Sequence, residues 1–118
     1  MKLRLKRVYD TAAKTDGQRI LVDRLWPRGL SKTRGRIDYW ARTAAPSGKL
    51  RRWYRHEPAK WPEFQRRYFA ELRRNAAAVQ ELLDRIGKGR ATLLFGSKET
   101  RYNNAAALKR YLESRLSK

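Results

Sequence analysis

The segment Asp23-Arg24-Leu25-Trp26-Pro27-Arg28-Gly29 sets two arginines and an aspartate around a Trp-Pro corner. Arginine presents a planar fork of donors that matches carboxylate and phosphate oxygens. An aspartate beside arginines stays ionised and orients them. Trp26 precedes Pro27 and is pushed toward extended backbone, while Gly29 permits close approach or a positive φ. That chemistry suits an anionic ligand, with Arg24, Trp26, Arg28 and Gly29 as binding residues. The same residues also suit a buried Asp–Arg pair that clamps a strand end, with Trp26 in the core. His56 is the only histidine, and so the only side chain whose unperturbed pKa lies near neutrality. His56 and Asp23 are therefore the candidates to handle a proton; a hydrogen bond at the entry to a helix is the competing role for His56.

A second set follows the last apolar run. Gly96-Ser97-Lys98-Glu99 could cradle a phosphate through backbone amides and Lys98, with Glu99, Tyr102 and Asn103 on the rim. The spacing is not that of a P-loop, and no dinucleotide fingerprint, serine-hydrolase elbow or His-Glu-x-x-His is present. Arg51, Arg52 and Arg55 beside Trp53 and Tyr54 form a basic-aromatic cluster. Such a cluster would hold a nucleic-acid backbone and stack bases, or it would be the solvated face of an amphipathic helix. One histidine and no cysteine argue against a transition-metal site, and no cofactor motif is readable.

Both loops need strands to carry them. Residues 3–9 read as a short strand, 10–17 as a loop, and Gln18 to Leu25 as a strand buried on both faces around Ile20-Leu21-Val22. Residues 30–46 read as a mixed connection, with Ile37, Tyr39 and Trp40 in a short helix or turn capped by Asp38. Ser47 to Arg55 reads as a short helix. A long amphipathic pattern runs through Trp61, Phe64, Tyr68, Leu72, Ala76, Val79, Leu83 and Ile86, open to interruption at Asn75 and ended by Gly87 and Gly89. Ala91 to Ser97 reads as a second buried strand. A last helix starts at Asn103 or Asn104 and runs to about Leu116, with Ala105, Leu108, Tyr111, Leu112 and Leu116 on one side. Strand, crossover helices, strand, helix is α/β grammar. The expectation is one domain over residues 1–118, with a mostly parallel sheet of three or more strands flanked by helices. Ligands of such sheets bind beyond the carboxyl ends of the strands. If the second and third predicted strands are neighbours, the loops at 23–29 and 96–104 face one another.

A chain of 118 residues with 41% hydrophobic content has enough apolar material for a single core. No run approaches the ~20 apolar residues of a membrane span, and cysteine-free composition with no readable leader implies a cytoplasmic protein. The formal net charge of +19 means attraction to anionic small molecules, nucleotides, nucleic acid or acidic partners. Twenty of the thirty basic residues are arginine, and they are spread along the chain rather than gathered in a tail.

The run from Arg19 through Asp23-Arg24-Leu25-Trp26-Pro27-Arg28-Gly29 to Lys32 strongly resembles the signature of the YeaO-like family, a bacterial domain of unknown function. Trp40, Ala45-Pro46-Ser47, His56-Glu57-Pro58, Trp61, Arg67-Tyr68 and Asn103-Asn104-Ala105 extend the resemblance over essentially the whole chain. It implies a single cytoplasmic α/β domain and brings no assigned substrate or reaction. It also implies a histidine just before Asn103, where this chain has Tyr102. This chain therefore has one histidine, His56, where the resemblance implies two.

Overall fold

The computed structural model describes residues 1–116, without the side chain of Leu116. Four strands, β1 (Lys2–Arg7), β2 (Gln18–Leu21), β3 (Tyr39–Trp40) and β4 (Arg90–Phe95), form one sheet in the order β1-β4-β2-β3. Every pairing is parallel, with Leu5 opposite Leu93 and Leu21 opposite Leu94. β2 and β4 are thus neighbours, and the loops that leave them share one edge of the sheet.

Four helices, α2 (Gly48–Tyr54), α3 (Trp61–Arg74), α4 (Ala76–Ile86) and α5 (Asn104–Leu116), bury their apolar stripes in one core. Ile20, Val22, Ala91, Leu93 and Phe95 supply the sheet side of that core, and Phe64, Tyr68, Leu72, Val79, Leu82 and Leu108 the helix side. The opposite face of the sheet carries only a small cluster. There Val8, Leu21 and Leu94 are covered by Trp26, Leu30, Ile37 and Trp40. The sheet is therefore covered by helices on one side and mainly by a tryptophan-bearing connection on the other. The place expected for Leu116 against the core lies outside the described residues.

The 30–46 connection differs from expectation. The single helical turn α1 (Lys32–Gly35) is capped by Ser31, whose Oγ accepts the Arg34 amide at 3.1 Å. Tyr39 and Trp40 are not helical but form the edge strand β3. Asp38 caps nothing; it accepts the Arg19 amide at 2.8 Å and guides β3 into register. Two residues are too few to show a strand period in the sequence.

Local rules explain the remaining boundaries. Asn75 leaves helical geometry at φ −116° and ψ 48° and separates α3 from α4, donating its side-chain amide to the Thr43 carbonyl at 2.8 Å. Gly87, at φ 61°, ends α4. Ser47 caps α2, its Oγ accepting the Leu50 amide at 3.1 Å. The Glu71 carboxylate of α3 in turn receives the Ser47 amide at 2.9 Å and the Ser47 hydroxyl at 2.6 Å. That grip fixes where α2 begins, and hence where its later residues stand.

A cation-lined pocket at the carboxyl edge of the sheet

β2 ends at Leu21, and the chain turns away at Asp23 instead of continuing to Leu25. The Asp23 side chain explains the turn. Its Oδ2 accepts the Gly96 amide at 2.8 Å and its Oδ1 accepts the Asn104 side-chain amide at 3.1 Å. Asn104 donates to the Val22 carbonyl at 3.0 Å as well, and the Trp40 indole donates to the Asp23 carbonyl at 2.7 Å. The carboxylate thus joins the ends of β2 and β4 to the start of α5. Burial pushes the Asp23 carboxyl above its ordinary value, against the hydrogen bonds from Gly96 and Asn104 and the fields of Arg51 and His56.

Around this carboxylate lies a cavity of about 250 Å³, open to solvent. Asp23, Arg24, Arg51, His56, Ser97 and Asn104 supply its polar wall; Leu25, Pro46, Tyr54 and Phe64 supply the apolar one. Arg24 also borders a smaller cavity of about 150 Å³ beside Glu71 and Asn75. Tyr54 forms the rigid back of the wall. It is 3% exposed, stacks on Phe64 at 4.2 Å and donates its hydroxyl to the Tyr102 carbonyl at 2.6 Å. Burial pushes that phenol up to about 12, so Tyr54 stays neutral and serves as a wall.

His56 reaches the cavity through an unusual backbone. Arg55 and His56 occupy the left-handed region in succession, at φ 49° and 55°, where neither has glycine's freedom. The chain reverses there after α2 and leaves the imidazole 5.8 Å from the Tyr54 ring. Strain of this kind persists where the surroundings over-determine it. Here those surroundings are the Glu71-anchored start of α2 and the buried Tyr54.

The structure brings together some of the sequence candidates and separates others. Asp23, Arg24 and His56 share the cavity. Arg28 does not; its side chain is exposed, and its carbonyl accepts the Tyr9 hydroxyl at 2.9 Å. Trp26 packs edge-on to Trp40 at 5.3 Å on the other face of the sheet and donates to the Leu30 carbonyl at 2.6 Å. Gly29 turns the chain at φ 72° with open space around it. Lys98 is exposed on its turn, outside the cavity wall. Glu99 folds back on its own loop, accepting the Arg101 and Tyr102 amides at 2.8 and 3.2 Å. The Tyr102 ring packs on Trp61 at 5.5 Å. Asn103 is fully buried and caps α5, its Oδ1 accepting the Ala106 amide at 2.9 Å.

The basic-aromatic cluster is divided likewise. Arg51 faces the cavity, Tyr54 is core, and Arg52 and Arg55 are exposed. Trp53 lies half-buried between α2 and α3, with the Arg67 guanidinium 4.2 Å and the Lys60 ammonium 5.0 Å from its ring centre. It offers no bare stacking platform.

Asn104 is no candidate in the sequence, Ser97 enters there only as part of the Gly96-to-Glu99 turn, and Arg51 only as a nucleic-acid contact. The Asn103-Asn104 pair contained the signal. Once Asn103 takes the capping position, its neighbour is free to address Asp23. Among the described residues, no group of three or more His, Asp or Glu is placed to hold a metal ion. Nor is any helix long and apolar enough to cross a membrane.

Fold and site together define a small parallel α/β domain whose charged pocket sits at the carboxyl edge of the sheet, on the β2 and β4 loops. The chain belongs to the DUF488 family: the model described as "Inactive DUF488-N3 subclade" matches residues 2–118. It is 41% identical to the uncharacterized protein YeaO of Escherichia coli K12, over 97% of this chain and 99% of that protein. It is 39% identical to the uncharacterized protein Rv3073c of Mycobacterium tuberculosis H37Rv, over 97% of this chain and 96% of that one. No solved structure matches the chain.

Proposed function

We propose that the pocket binds a small anionic ligand and holds it without chemical turnover. The observation that carries this reading is the convergence of Arg24, Arg51 and His56 on one cavity beyond the carboxyl ends of β2 and β4. Neither guanidinium is engaged by a protein carboxylate in an ion pair among the described residues, whereas Arg19, Arg66 and Arg67 each have one. Their donor forks are open to a carboxylate, phosphate or sulfate group. Asp23 contributes to the same wall. Its buried carboxylate limits the positive field and favours a ligand that also offers a hydrogen-bond donor, such as a hydroxyl.

Binding is favoured over catalysis by two considerations. Both Asp23 oxygens already accept hydrogen bonds from the protein, which suits a fixed acceptor better than a proton carrier. The subclade is also described as inactive.

Isothermal titration with inorganic phosphate, sulfate and mononucleotides tests the reading. The expected result is saturable one-to-one binding that weakens sharply in Arg24→Ala and Arg51→Ala. Equal binding by the wild type and both variants, or none of these anions binding, sinks it.

A further inference from the structure

A further concave surface lies between α2 and α3. Its volume is about 310 Å³. Leu50, Trp53 and Ala70 supply its apolar contacts, and Lys49, Arg66, Arg67 and Arg74 its charged ones. The one carboxylate in its wall, Glu71, is held by the amide and hydroxyl of Ser47. Arg67 lies over Trp53 at 4.2 Å, and both Arg66 and Arg67 grip Glu63, at 2.6 and 2.8 Å. Those two guanidiniums are thereby already paired, so Lys49 and Arg74, which have no carboxylate partner among the described residues, are the cations of the wall open to an incoming carboxylate. An apolar slot with tryptophan at its centre and arginine at its rim has the composition of a protein–protein contact.

We infer that this groove docks a short acidic segment of another protein, one that places a bulky apolar side chain in the slot and carboxylates on Lys49 and Arg74. Charge complementarity selects this occupant. A second copy of the chain cannot supply it: each copy carries +19, and its eleven acidic residues never stand side by side in the sequence. Ten of them, Asp16, Asp23, Asp38, Glu57, Glu63, Glu71, Glu81, Asp84, Glu99 and Glu113, are engaged within the fold. A nucleic acid would meet the charge but not the slot. Its bases need a bare aromatic face, and the Trp53 ring already carries Arg67 and Lys60. An apolar side chain needs only the groove floor, and a planar carboxylate matches the fork of Arg74.

Three probes decide the matter on the full chain at physiological ionic strength. The first is a synthetic acidic peptide of about twelve residues with one central leucine; the second replaces that leucine by serine; the third is a single-stranded oligothymidylate of equal length. Binding is measured by titration calorimetry and located by backbone amide NMR. The leucine peptide is expected to bind saturably, to shift Leu50, Trp53 and Ala70, and to bind about tenfold more tightly than the serine peptide. Ala70→Glu, which puts a carboxylate in the slot, and Arg74→Ala should each weaken it by about tenfold with an unchanged unfolding midpoint. No binding by the leucine peptide overturns the inference. So does equal binding of both peptides, which is charge attraction alone, or displacement of the leucine peptide from the groove by the oligonucleotide. The pocket at Asp23 plays no part in these outcomes.

Discussion

The Asp23 carboxylate and the Gly96 amide meet at 2.8 Å across the carboxyl ends of β2 and β4. A Cβ on residue 96 would stand 3.2 Å from Asp23 Oδ2, so glycine there gives the carboxylate room to reach the amide. Asp23→Ala removes the acceptor for both that amide and the Asn104 side chain. The expected cost is about 1–3 kcal/mol, since the donors lose a partner while the penalty for a buried charge is relieved. Asp23→Asn keeps one acceptor and should recover part of the loss. Urea unfolding of the two variants measures both effects, and an Asp23→Ala protein as stable as the wild type contradicts the clamp.

Arg51 and Arg28 separate ligand contact from mere positive charge. Both are exposed arginines, but only Arg51 lines the cavity. Arg51→Ala should lower phosphate or sulfate affinity by about tenfold while changing stability by no more than about 0.5 kcal/mol. Arg28→Ala should leave that affinity nearly unchanged, because only its carbonyl, which the substitution keeps, has a defined role, toward Tyr9. Equal losses in the two variants would mean that the anion senses net charge rather than a pocket.

Much of this architecture was legible in the sequence because burial leaves a pattern there. Ile20-Leu21-Val22 and Thr92-Leu93-Leu94-Phe95 read as buried strands since both faces of the sheet are covered, by helices on one side and by Trp26 and Trp40 on the other. The Trp61-to-Leu72 stripe read as helix because its apolar residues recur in steps of three and four, on the face that α3 buries. The site was half legible. Residue types marked Asp23, Arg24 and His56, but not the direction of α2, which is set by the Ser47–Glu71 contact between residues twenty-four apart. Without that direction, Arg51 looked like one more member of a basic cluster. Trp26 and Arg28 looked like partners of Arg24 because they lie close in sequence. The Pro27 corner sends Trp26 to the opposite face of the sheet instead.

The turn after α2 gives a prediction about backbone strain. Arg55 holds φ 49° and ψ 31°, a region that costs a side-chain-bearing residue about 1–2 kcal/mol and costs glycine almost nothing. Arg55→Gly should therefore raise folding stability by a few tenths to about 1 kcal/mol after the added entropy of the unfolded chain is counted. His56→Gly should act in the same direction at φ 55° while removing the imidazole from the cavity. Chemical denaturation reads the first effect, and phosphate titration of both variants reads whether His56 contributes to binding. A destabilised Arg55→Gly protein would show that the Arg55 side chain outweighs its backbone cost.

Asp16, on the side of the sheet away from the helices, should make stability depend on pH. Its carboxylate is 4% exposed and accepts Arg19 at 2.6 Å, Lys6 at 3.2 Å and the Ala13 amide at 3.0 Å. Burial alone would raise its pKa, but the hydrogen bonds from Ala13, Arg19 and Lys6 outweigh it and hold the group below its ordinary value. The folded state therefore binds this proton less readily than the unfolded chain, whose aspartates titrate near ~3.9. The stabilisation is fully present above that value and is lost as the pH falls below it, through the folded pKa. Thermal unfolding followed from pH 6 down to pH 2 should show a fall in midpoint below about pH 4. Asp16→Asn should flatten that limb. It should also cost about 3–5 kcal/mol at neutral pH, because Arg19, only 5% exposed in its side chain, keeps its charge without a carboxylate partner. An acid limb unchanged in Asp16→Asn would assign it to other carboxylates, with Glu63, whose pKa the Arg66 and Arg67 hydrogen bonds pull down to about 2, the next to examine.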